Sequence, residues 1–250
     1  MIEIDFIIPS FRSKELTAIA IKSFEKYKNK DKFNFRYLVI ENSDDESYRD
    51  DLKAISPGNV KWFQNPTNLK TSAANAYGLE RGLKEAESEY VFLCHNDVAA
   101  CHPLWMDFLF EKISDSCPIA GTLLDNQRIK AVHIAGLLAK TEVARSVTMY
   151  PVYDDSENMI ADVGDLITQH CRDSDLEYYC CRNTHNDASI VELCNEPYKS
   201  FQVDRALNDK NEVIYMHLGR GFEKSFGLYN KPNKTYFSDW CELVHKNVLQ

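Results

Sequence analysis

The stretch of residues 90–97 constrains the fold more than any other part of the chain. Five apolar residues at 90–94 are followed directly by His95, Asn96 and Asp97. The apolar run predicts a strand that is buried on both faces. Ligands of open α/β sheets collect at the carboxyl ends of the strands, where a carboxylate can bridge to a phosphate through a divalent cation. The alternative is that Asp97 caps a helix that follows it.

Strands and helices are predicted to alternate in the first half of the chain. The expected elements before residue 90 are a strand at 4–8, a helix at 14–27, strands at 37–40 and 60–63, and a helix at 71–86. Pro9 is expected to stop the first strand and Ser13 to cap the first helix. This alternation is typical of βαβ units. The predicted fold class is therefore α/β, with a mostly parallel central sheet flanked by helices.

The second half of the chain has a less regular pattern. Strands are predicted at 119–124 and 131–138, around a polar turn at 125–127. A short helix is expected at 164–171 and a late strand at 213–216. From Phe222 onwards the chain is rich in aromatic residues. No repeat, low-complexity tract or Pro/Gly-rich linker marks a domain boundary, so we expect one continuous domain with a C-terminal extension.

The composition excludes several classes of protein. Hydrophobic residues make up 44% and charged residues 27% of the chain, as in ordinary globular proteins. The net charge of −9 argues against nucleic acid as a partner. No signal-peptide pattern and no apolar run of membrane-spanning length is present, so we expect a cytoplasmic protein with reduced thiols, several of them buried. The cysteines that could suggest a zinc site have no regular Cys-x₂-Cys spacing; they are Cys171, Cys180, Cys181 and Cys194.

Polar residues follow two further predicted strands. Pro9, Ser10 and Arg12 come after the first strand, and Glu41 and Asn42 come after the second. Neither a Gly-x-Gly-x-x-Gly fingerprint nor a Walker loop is present, which argues against dinucleotide and P-loop chemistry. In a parallel sheet these residues share the edge that carries the 95–97 cluster. The arrangement predicts a nucleotide whose base and ribose are bound here and whose diphosphate is held through a cation.

Four pieces of the chain, in order, resemble the family 2 glycosyltransferases of the GT-A fold. They are IIPSF at 7–11, LVIENS at 38–43, NLKTSAANAYG at 68–78 and FLCHND at 92–97. GTLL at 121–124 and HIAG at 133–136 resemble a segment of bacterial surface-polysaccharide members. The resemblance implies a glycosyltransferase domain at 1–221, with a nucleotide-binding half at 1–109 and an acceptor half at 110–221. Residues 222–250 form the aromatic-rich extension.

The resemblance also implies roles for individual residues. Asp97 and His217 are expected to bind Mn²⁺ or Mg²⁺, which neutralises the diphosphate leaving group. A carboxylate must take the proton of the acceptor hydroxyl, and either Asp162 or Asp165 is the candidate, with helix capping as the alternative. The nucleotide-binding candidates are Pro9, Ser10, Arg12, Glu41, Asn42, Asn68, Asn75, Asn96 and Arg220.

One position departs from the family pattern. His95 stands where the family has the first acid of its Asp-x-Asp site. This leaves two alternatives, a metal bound through Asp97 alone, or a donor site that uses no metal. The family's Glu-Asp pair, which usually contains the base, has no clean copy either, and the segment 161–166 is the best substitute.

The predicted function is transfer of a sugar from a nucleotide-diphosphate donor to a glycan or lipid-linked acceptor, with inversion and with a divalent metal. A lipid-linked acceptor would place the protein at the inner face of the membrane. One alternative is a nucleotidyltransferase, although such enzymes have a Gly-rich loop after the first strand and residues 9–13 contain no glycine. Another is a non-catalytic nucleotide- or glycan-binding relative, in which His95 reflects lost activity.

Overall fold

Alternating strands and helices form the computed structural model, which describes residues 1–229 and 231–250. The helices are α1 (Lys14–Lys26), α2 (Arg49–Lys53), α3 (Thr71–Glu85), α4 (Trp105–Phe110), α5 (Thr141–Arg145), α6 (Asp165–Asp173), α7 (Gly221–Ser225) and α8 (Phe237–Val244). The strands are β1 (Ile2–Ser10), β2 (Phe33–Glu41), β3 (Val60–Gln64), β4 (Tyr90–Leu93), β5 (Val98–Ala100), β6 (Ile119–Gly121), β7 (Leu137–Lys140), β8 (Val152–Tyr153), β9 (Met159–Ala161), β10 (Tyr179–Cys180), β11 (Arg182–Asn183), β12 (Asp204–Leu207) and β13 (Val213–His217). A π-helical turn, His245–Leu249, follows α8.

The large sheet has the strand order β10-β6-β7-β4-β1-β2-β3. Only β7 runs antiparallel to its neighbours, β4 and β6, and the remaining adjacent pairs are parallel. Strands β1 and β4 lie in the middle, and alternate side chains of β1 enter two different hydrophobic clusters. A strand that is buried on both faces needs apolar residues at successive positions, which explains the continuous apolar runs. The predicted α/β class with a mostly parallel sheet is confirmed.

A second sheet has the order β11-β12-β13-β5, and its strands are antiparallel. Strand β5 begins at Val98, only five residues after β4 ends at Leu93. The residues between these strands therefore lie at the junction of the two sheets. This junction places the ends of β12 and β13 beside the carboxyl end of β4.

Two predictions at the start of the chain are corrected. Strand β1 does not stop at Pro9 but continues to Ser10. The pairing of β1 with β4 ends at Ile7, so no strand lies on that side of Pro9. Proline has no backbone N–H, and at this position none is needed for a bond to β4. Ser13 does precede α1, but its hydroxyl donates to the Phe11 carbonyl and makes no cap bond to the helix.

The strand predicted at 131–138 is misplaced. The strand that pairs with β6 and β4 is β7, Leu137–Lys140, and the strand predicted at 119–124 ends at Gly121. Between them the chain leaves the sheet, with a single bridge between Leu124 and Val132. Most apolar residues in this excursion are buried, and an apolar pattern does not distinguish a buried loop from a buried strand.

The C-terminal segment packs on the body of the fold. Trp240 and Leu243 of α8 share a hydrophobic cluster with Leu16 and Ile19 of α1. Trp240 is fully buried. The helix predicted at 164–171 and the strand predicted at 213–216 are present as α6 and β13. The boundary at residue 222 stays a prediction, since the extension contributes to the same core as α1.

A buried ion pair at the amino end of β1 has a measurable effect on stability. The Asp5 carboxylate has no exposed surface and accepts hydrogen bonds from Arg36 at 2.6 and 2.7 Å and from the amides of Glu87 and Ser88. Burial opposes ionisation of Asp5, but these donors outweigh it and lower its pKa. Asp5→Asn should reduce the free energy of unfolding at pH 7 by about 3–5 kcal/mol, because Arg36 loses its buried partner.

The effect of Asp5→Asn should depend on pH. A carboxylate whose pKa is lower in the folded than in the unfolded chain stabilises the fold above the unfolded pKa of about 4, and this contribution falls as the carboxylate is protonated. The difference between wild type and Asp5→Asn should therefore shrink as the pH is lowered below about 4. Urea unfolding curves at pH 7 and pH 3 measure it, and a difference that is independent of pH would contradict this account.

Candidate active site

Three side chains that can bind a metal converge at the carboxyl end of β4: His95, Asp97 and His217. One ligand atom from each lies within 4.8 Å of the others. The Asp97 Oδ1 is 3.4 Å from the His217 Nε2 and 3.9 Å from the His95 Nδ1. Those two ring nitrogens are 3.4 Å apart. Two imidazole nitrogens and one carboxylate oxygen at such distances are a suitable set of ligands for a divalent cation.

The pairing of two sheets places these residues. Val98 of β5 lies opposite His217 of β13, and the Leu218 amide donates to the Asp97 carbonyl at 2.9 Å. Asp97 thus precedes a strand, and the alternative that it caps a following helix is wrong. Its Oδ2 instead accepts a hydrogen bond of 2.9 Å from the amide of Gly221, the first residue of α7.

The charges around this cluster favour an ionised Asp97. Burial opposes ionisation, but His217 outweighs it and holds the pKa of Asp97 well below its usual value. Burial likewise disfavours a charged His217, yet the carboxylates of Asp97 and Asp204 raise its pKa to about 10. A histidine must lose its proton to bind a metal. A cation bound by Asp97 and His217 would therefore replace the proton on the His217 ring. Burial lowers the pKa of His95 to about 4, which leaves a neutral imidazole.

Two further histidines and an aspartate surround the ligand set. The His133 ring lies 5.3 Å from that of His95 and 5.8 Å from that of His185, measured between centroids. Asp204 bridges the Nδ1 atoms of His185 and His217, at 3.3 and 3.2 Å. In the sequence, His133 stood out only as part of the HIAG motif. Nothing local in the sequence indicates that these residues meet, because each comes from a different segment of the chain.

A cleft of about 430 Å³ lies at the ends of β1 and β2. Arg12, Asn42 and Asn68, three of the predicted nucleotide-binding residues, line it together with Phe11, Ser43, Asp44, Pro66 and Thr67. Helix α7 connects this cleft to His95, Asp97 and His217, which together form the metal-ligand cluster. Phe222 follows the glycine that bonds Asp97, and its ring packs edge-on against Phe11 with centroids 5.2 Å apart. A ligand in the cleft therefore lies next to the cluster.

The predicted nucleotide-binding residues Pro9, Ser10 and Glu41 are buried beneath the cleft. The Glu41 Oε1 accepts hydrogen bonds from the amides of Arg12 and Ser43 at 3.1 and 3.0 Å, and from the Ser43 hydroxyl. Its Oε2 accepts a hydrogen bond from the hydroxyl of Tyr48. The carboxylate thus holds the loops that line the cleft, and protein donors already occupy both of its oxygens.

The other predicted nucleotide-binding residues lie nearer the metal-ligand cluster. The Asn75 amide is 3.1 Å from the His95 Nε2. Asn96 is buried and donates to the Thr17 hydroxyl at 3.3 Å. Arg220 immediately precedes α7 and is ion-paired with Glu223 at 2.9 Å. Arg220 is therefore next to the glycine that bonds Asp97, whereas the Asn96 side chain is engaged with α1.

The two candidate bases have different surroundings. Asp165 is 2% exposed, and its Oδ2 accepts a hydrogen bond of 2.7 Å from the Asp162 amide, so it stabilises the start of α6. Burial raises the pKa of Asp165. The Asp162 side chain is 27% exposed. Its charge, like that of Asp97, raises the pKa of His95, whereas burial lowers that pKa. Asp162 is thus the carboxylate that solvent and a substrate can reach.

Arg128, which belongs to none of the sequence motifs, ties these acids together. It lies 2.6 Å from Asp125, 3.4 Å from Asp162 and 3.6 Å from Asp165. The Arg128 backbone is in the left-handed region at φ +49°, an uncommon conformation for arginine. The guanidinium lets three carboxylates lie close together. Only the excursion from the sheet between β6 and β7 brings it there.

Gly221 allows α7 to approach Asp97. A Cβ atom at this position would lie 2.3 Å from the Asp97 Cβ and 2.8 Å from its Oδ2, so an alanine does not fit. We expect Gly221→Ala to displace the Asp97 carboxylate and to weaken Mn²⁺ binding by about 10–100-fold, as when other groups that orient ligands are lost. A Mn²⁺ titration measures this. Ser225→Ala on the same helix is the control, and unchanged affinity in Gly221→Ala would contradict the expected displacement.

Comparison with known proteins gives a likeness in fold but none in sequence. No protein-family model and no curated protein matches the chain. A mannosyltransferase from Pyrobaculum calidifontis in complex with GDP-Man and Mn²⁺ superposes with a TM-score of 0.54 at 12% identity, over 97% of this chain and 68% of that one. Glucosyl-3-phosphoglycerate synthase from Mycobacterium tuberculosis, with Mn²⁺ and UDP-Glc, gives 0.49 at 12% identity, over 71% and 68%. A mycobacterial protein gives 0.49 at 11% identity, over 71% of this chain and 65% of its own.

The likeness to the mannosyltransferase extends over nearly the whole chain. The mostly parallel central sheet flanked by helices agrees with it. The chain therefore has the GT-A fold of the glycosyltransferases.

Proposed function

We propose that the protein transfers a sugar, with inversion, from a nucleoside-diphosphate donor to a hydroxyl of a glycan or lipid-linked acceptor, using a divalent cation. The observation that carries the proposal is the convergence of His95, Asp97 and His217 next to the cleft, at the carboxyl ends of the central strands. Ligands of open α/β sheets bind at this edge. The fold is one that glycosyltransferases use, which supports the same conclusion.

The cleft is suited to the nucleoside. Phe11, Arg12 and Asn68 line it, and all three are exposed and available for stacking and hydrogen bonding. Asn42 also lines it, Pro9 and Ser10 are buried beneath it, and Glu41 holds the backbone of Arg12 and Ser43 in place. The diphosphate then extends towards Asp97, with Arg220 at the start of α7 as a bidentate phosphate contact.

The metal-ligand cluster is suited to the leaving group. A divalent cation there would neutralise the diphosphate as the sugar bond breaks. His95, Asp97 and His217 would hold it, and Asn75 and Asp204 support the two imidazoles.

Asp162 is the proposed general base. It is partly exposed, is close enough to act electrostatically on His95, and has its amide held by Asp165. It would take the proton of the acceptor hydroxyl as that oxygen attacks the sugar carbon. Asp165 is a positioning residue in this proposal, since it is buried and bonds the backbone of Asp162.

The test is thermal stabilisation by nucleoside diphosphates in the presence of Mn²⁺, followed by turnover of the corresponding sugar donors. A ligand that binds the native state must raise the melting temperature, by an amount that grows with its concentration over its Kd. At least one nucleoside diphosphate should stabilise the protein, and its sugar conjugate should release the diphosphate on turnover. Stabilisation without turnover would identify a binding protein. Pyrophosphate release from a nucleoside triphosphate and a sugar phosphate would identify a nucleotidyltransferase.

Glu41 should act on donor binding through the loops of the cleft. Glu41→Ala removes the acceptor for four hydrogen bonds, which leaves the Tyr48 hydroxyl and the Arg12 and Ser43 amides without it. We expect the KM of the donor to rise more than kcat falls, the pattern of lost ground-state binding. Unfolding should also occur at a lower temperature. A fall in kcat at unchanged KM would show that Glu41 acts on the chemical step.

Several sequence-based expectations remain proposals. They include the surface-polysaccharide subtype, the lipid-linked acceptor, the cytoplasmic location at the inner face of the membrane, and the division at residues 109 and 221. Among the helices that the structure describes, none is long and apolar enough to cross a membrane.

A further inference from the structure

The metal-ligand cluster offers an unusual mixture of atoms for a site next to a diphosphate. Two of its three ligands are imidazole nitrogens, from His95 and His217, and only Asp97 supplies oxygen. Imidazole suits Zn²⁺, Cu²⁺, Fe²⁺ and Ni²⁺, and Co²⁺ lies between the last two in affinity, while carboxylate and water oxygens suit Mg²⁺ and Mn²⁺. Mg²⁺ also requires a nearly ideal octahedron of oxygen atoms and gives up its waters reluctantly.

The far nitrogen of each ring is held by a protein group. For His217 this group is Asp204, whose Oδ2 lies 3.2 Å from Nδ1, so that Nε2 faces Asp97. For His95 it is Asn75, whose Nδ2 lies 3.1 Å from Nε2, so that Nδ1 faces Asp97. Histidines that bind metals almost always have such a partner on the other nitrogen.

Asn75 can select the tautomer of His95 that binds a metal. The two ends of an amide are interchangeable by rotation of the side chain and are assigned from hydrogen bonding. When the side chain is turned so that its oxygen faces the ring, Asn75 accepts a hydrogen bond from the Nε2–H group, and the Nδ1 lone pair is left free for a metal.

We propose that His95 is a nitrogen ligand held by Asn75, and that it biases the centre towards transition-metal ions and against Mg²⁺. The proposal rests on the proposed function for the presence of a cation, and it adds which class of cation the site accepts. His95 is thus the residue that determines metal specificity, and Asn75 is a positioning residue that acts through it.

The experiment measures metal binding by the protein alone, without nucleotide. Wild type, His95→Asp and His245→Asp are titrated with CoCl₂, MnCl₂ and MgCl₂ by calorimetry, and the visible spectrum of bound Co²⁺ is recorded. Most sites bind Co²⁺ more tightly than Mg²⁺, so the informative quantity is the change in the Co²⁺-to-Mg²⁺ affinity ratio. His95→Asp should lower this ratio on the order of tenfold or more, the scale on which metal sites respond to changed ligand surroundings. It should also alter the Co²⁺ spectrum.

His245→Asp is the matched control, because it makes the same substitution at an exposed histidine after α8. Its ratio and spectrum should equal those of the wild type. An unchanged ratio in His95→Asp, with circular dichroism showing an intact fold, would overturn the proposal. The titrations contain no sugar donor, so this result would not bear on the transferase function. Failure of the transferase function would instead show as a lack of sugar transfer by a protein with a normal metal response.

Asn75 has its own test. Asn75→Leu removes the acceptor and should weaken Co²⁺ binding by about 10–100-fold. Asn75→Asp keeps an oxygen that can accept a hydrogen bond from Nε2–H. Its affinity for Co²⁺ should therefore stay close to that of the wild type. Equal losses in both variants would show that Asn75 matters only for packing and would remove it from the proposal.

Discussion

Asp97→Asn should abolish binding of Mn²⁺ and reduce turnover of the sugar donor by about 10³-fold or more. Charge stabilisation by a metal ion is worth several kcal/mol in the transition state, and each 1.36 kcal/mol changes the rate tenfold. Asparagine is nearly isosteric and its oxygen can still accept the hydrogen bond from the Gly221 amide. The fold should therefore survive, and the loss should be specific to the cation. Calorimetric titration with Mn²⁺ and release of nucleoside diphosphate from the donor measure the two effects.

Asp115→Asn is the control for this experiment. The Asp115 side chain is 98% exposed and pairs with Lys140, and exposed ion pairs contribute little. It should match the wild type in both assays. If Asp97→Asn kept its Mn²⁺ affinity and its turnover, the cluster of His95, Asp97 and His217 would have no part in the reaction.

Asp162→Asn should reduce turnover by about 10²–10⁴-fold, the usual contribution of a general base. Nucleotide affinity should change little, since Asp162 belongs to the acceptor side of the proposed site. Binding of the nucleoside diphosphate by calorimetry and turnover of the donor separate the two quantities. A simultaneous loss of both would mean that Asp162 supports the donor site instead.

Asp165→Asn is the comparison that distinguishes the base from its neighbour. The substituted amide side chain would keep an oxygen to accept the hydrogen bond from the Asp162 backbone. Burial raises the pKa of Asp165 and so disfavours its charge, which makes a neutral amide easier to accommodate at this position. Turnover should stay much closer to the wild type than in Asp162→Asn. The reverse order of effects would assign the base to Asp165.

Periodicity and turn residues in the sequence were enough to predict the elements of the parallel half of the fold. The apolar run at 90–94 predicted the strand that is present as β4, and the predicted helices at 14–27 and 71–86 are within one residue of α1 and α3. These features depend on neighbours a few residues apart, which is the range over which propensity and hydrophobic pattern act. The same reasoning placed β13, and with it His217, correctly.

The excursion between β6 and β7 shows where local reasoning failed. Its apolar pattern resembles a strand, but its course is decided by contacts with distant parts of the chain, such as the hydrogen bond from the Val132 amide to the Thr168 hydroxyl. This course brings His133 to His95 and Arg128 to Asp162. Such contacts have no signal at short range in the sequence.

The sequence by itself determined the α/β class, the strand that ends at the cluster, and the candidates Asp97 and His217. Tertiary structure decided which side chains work together. The antiparallel pairing of β5, β13 and β12 brings Asp97, His217 and Asp204 into contact across more than a hundred residues. The tertiary structure also provides protein partners for both oxygens of Glu41 and places the Asn75 amide next to His95. The physical reason is that pattern and propensity select a backbone conformation residue by residue, whereas burial and hydrogen bonding of a polar group depend on every segment that packs around it.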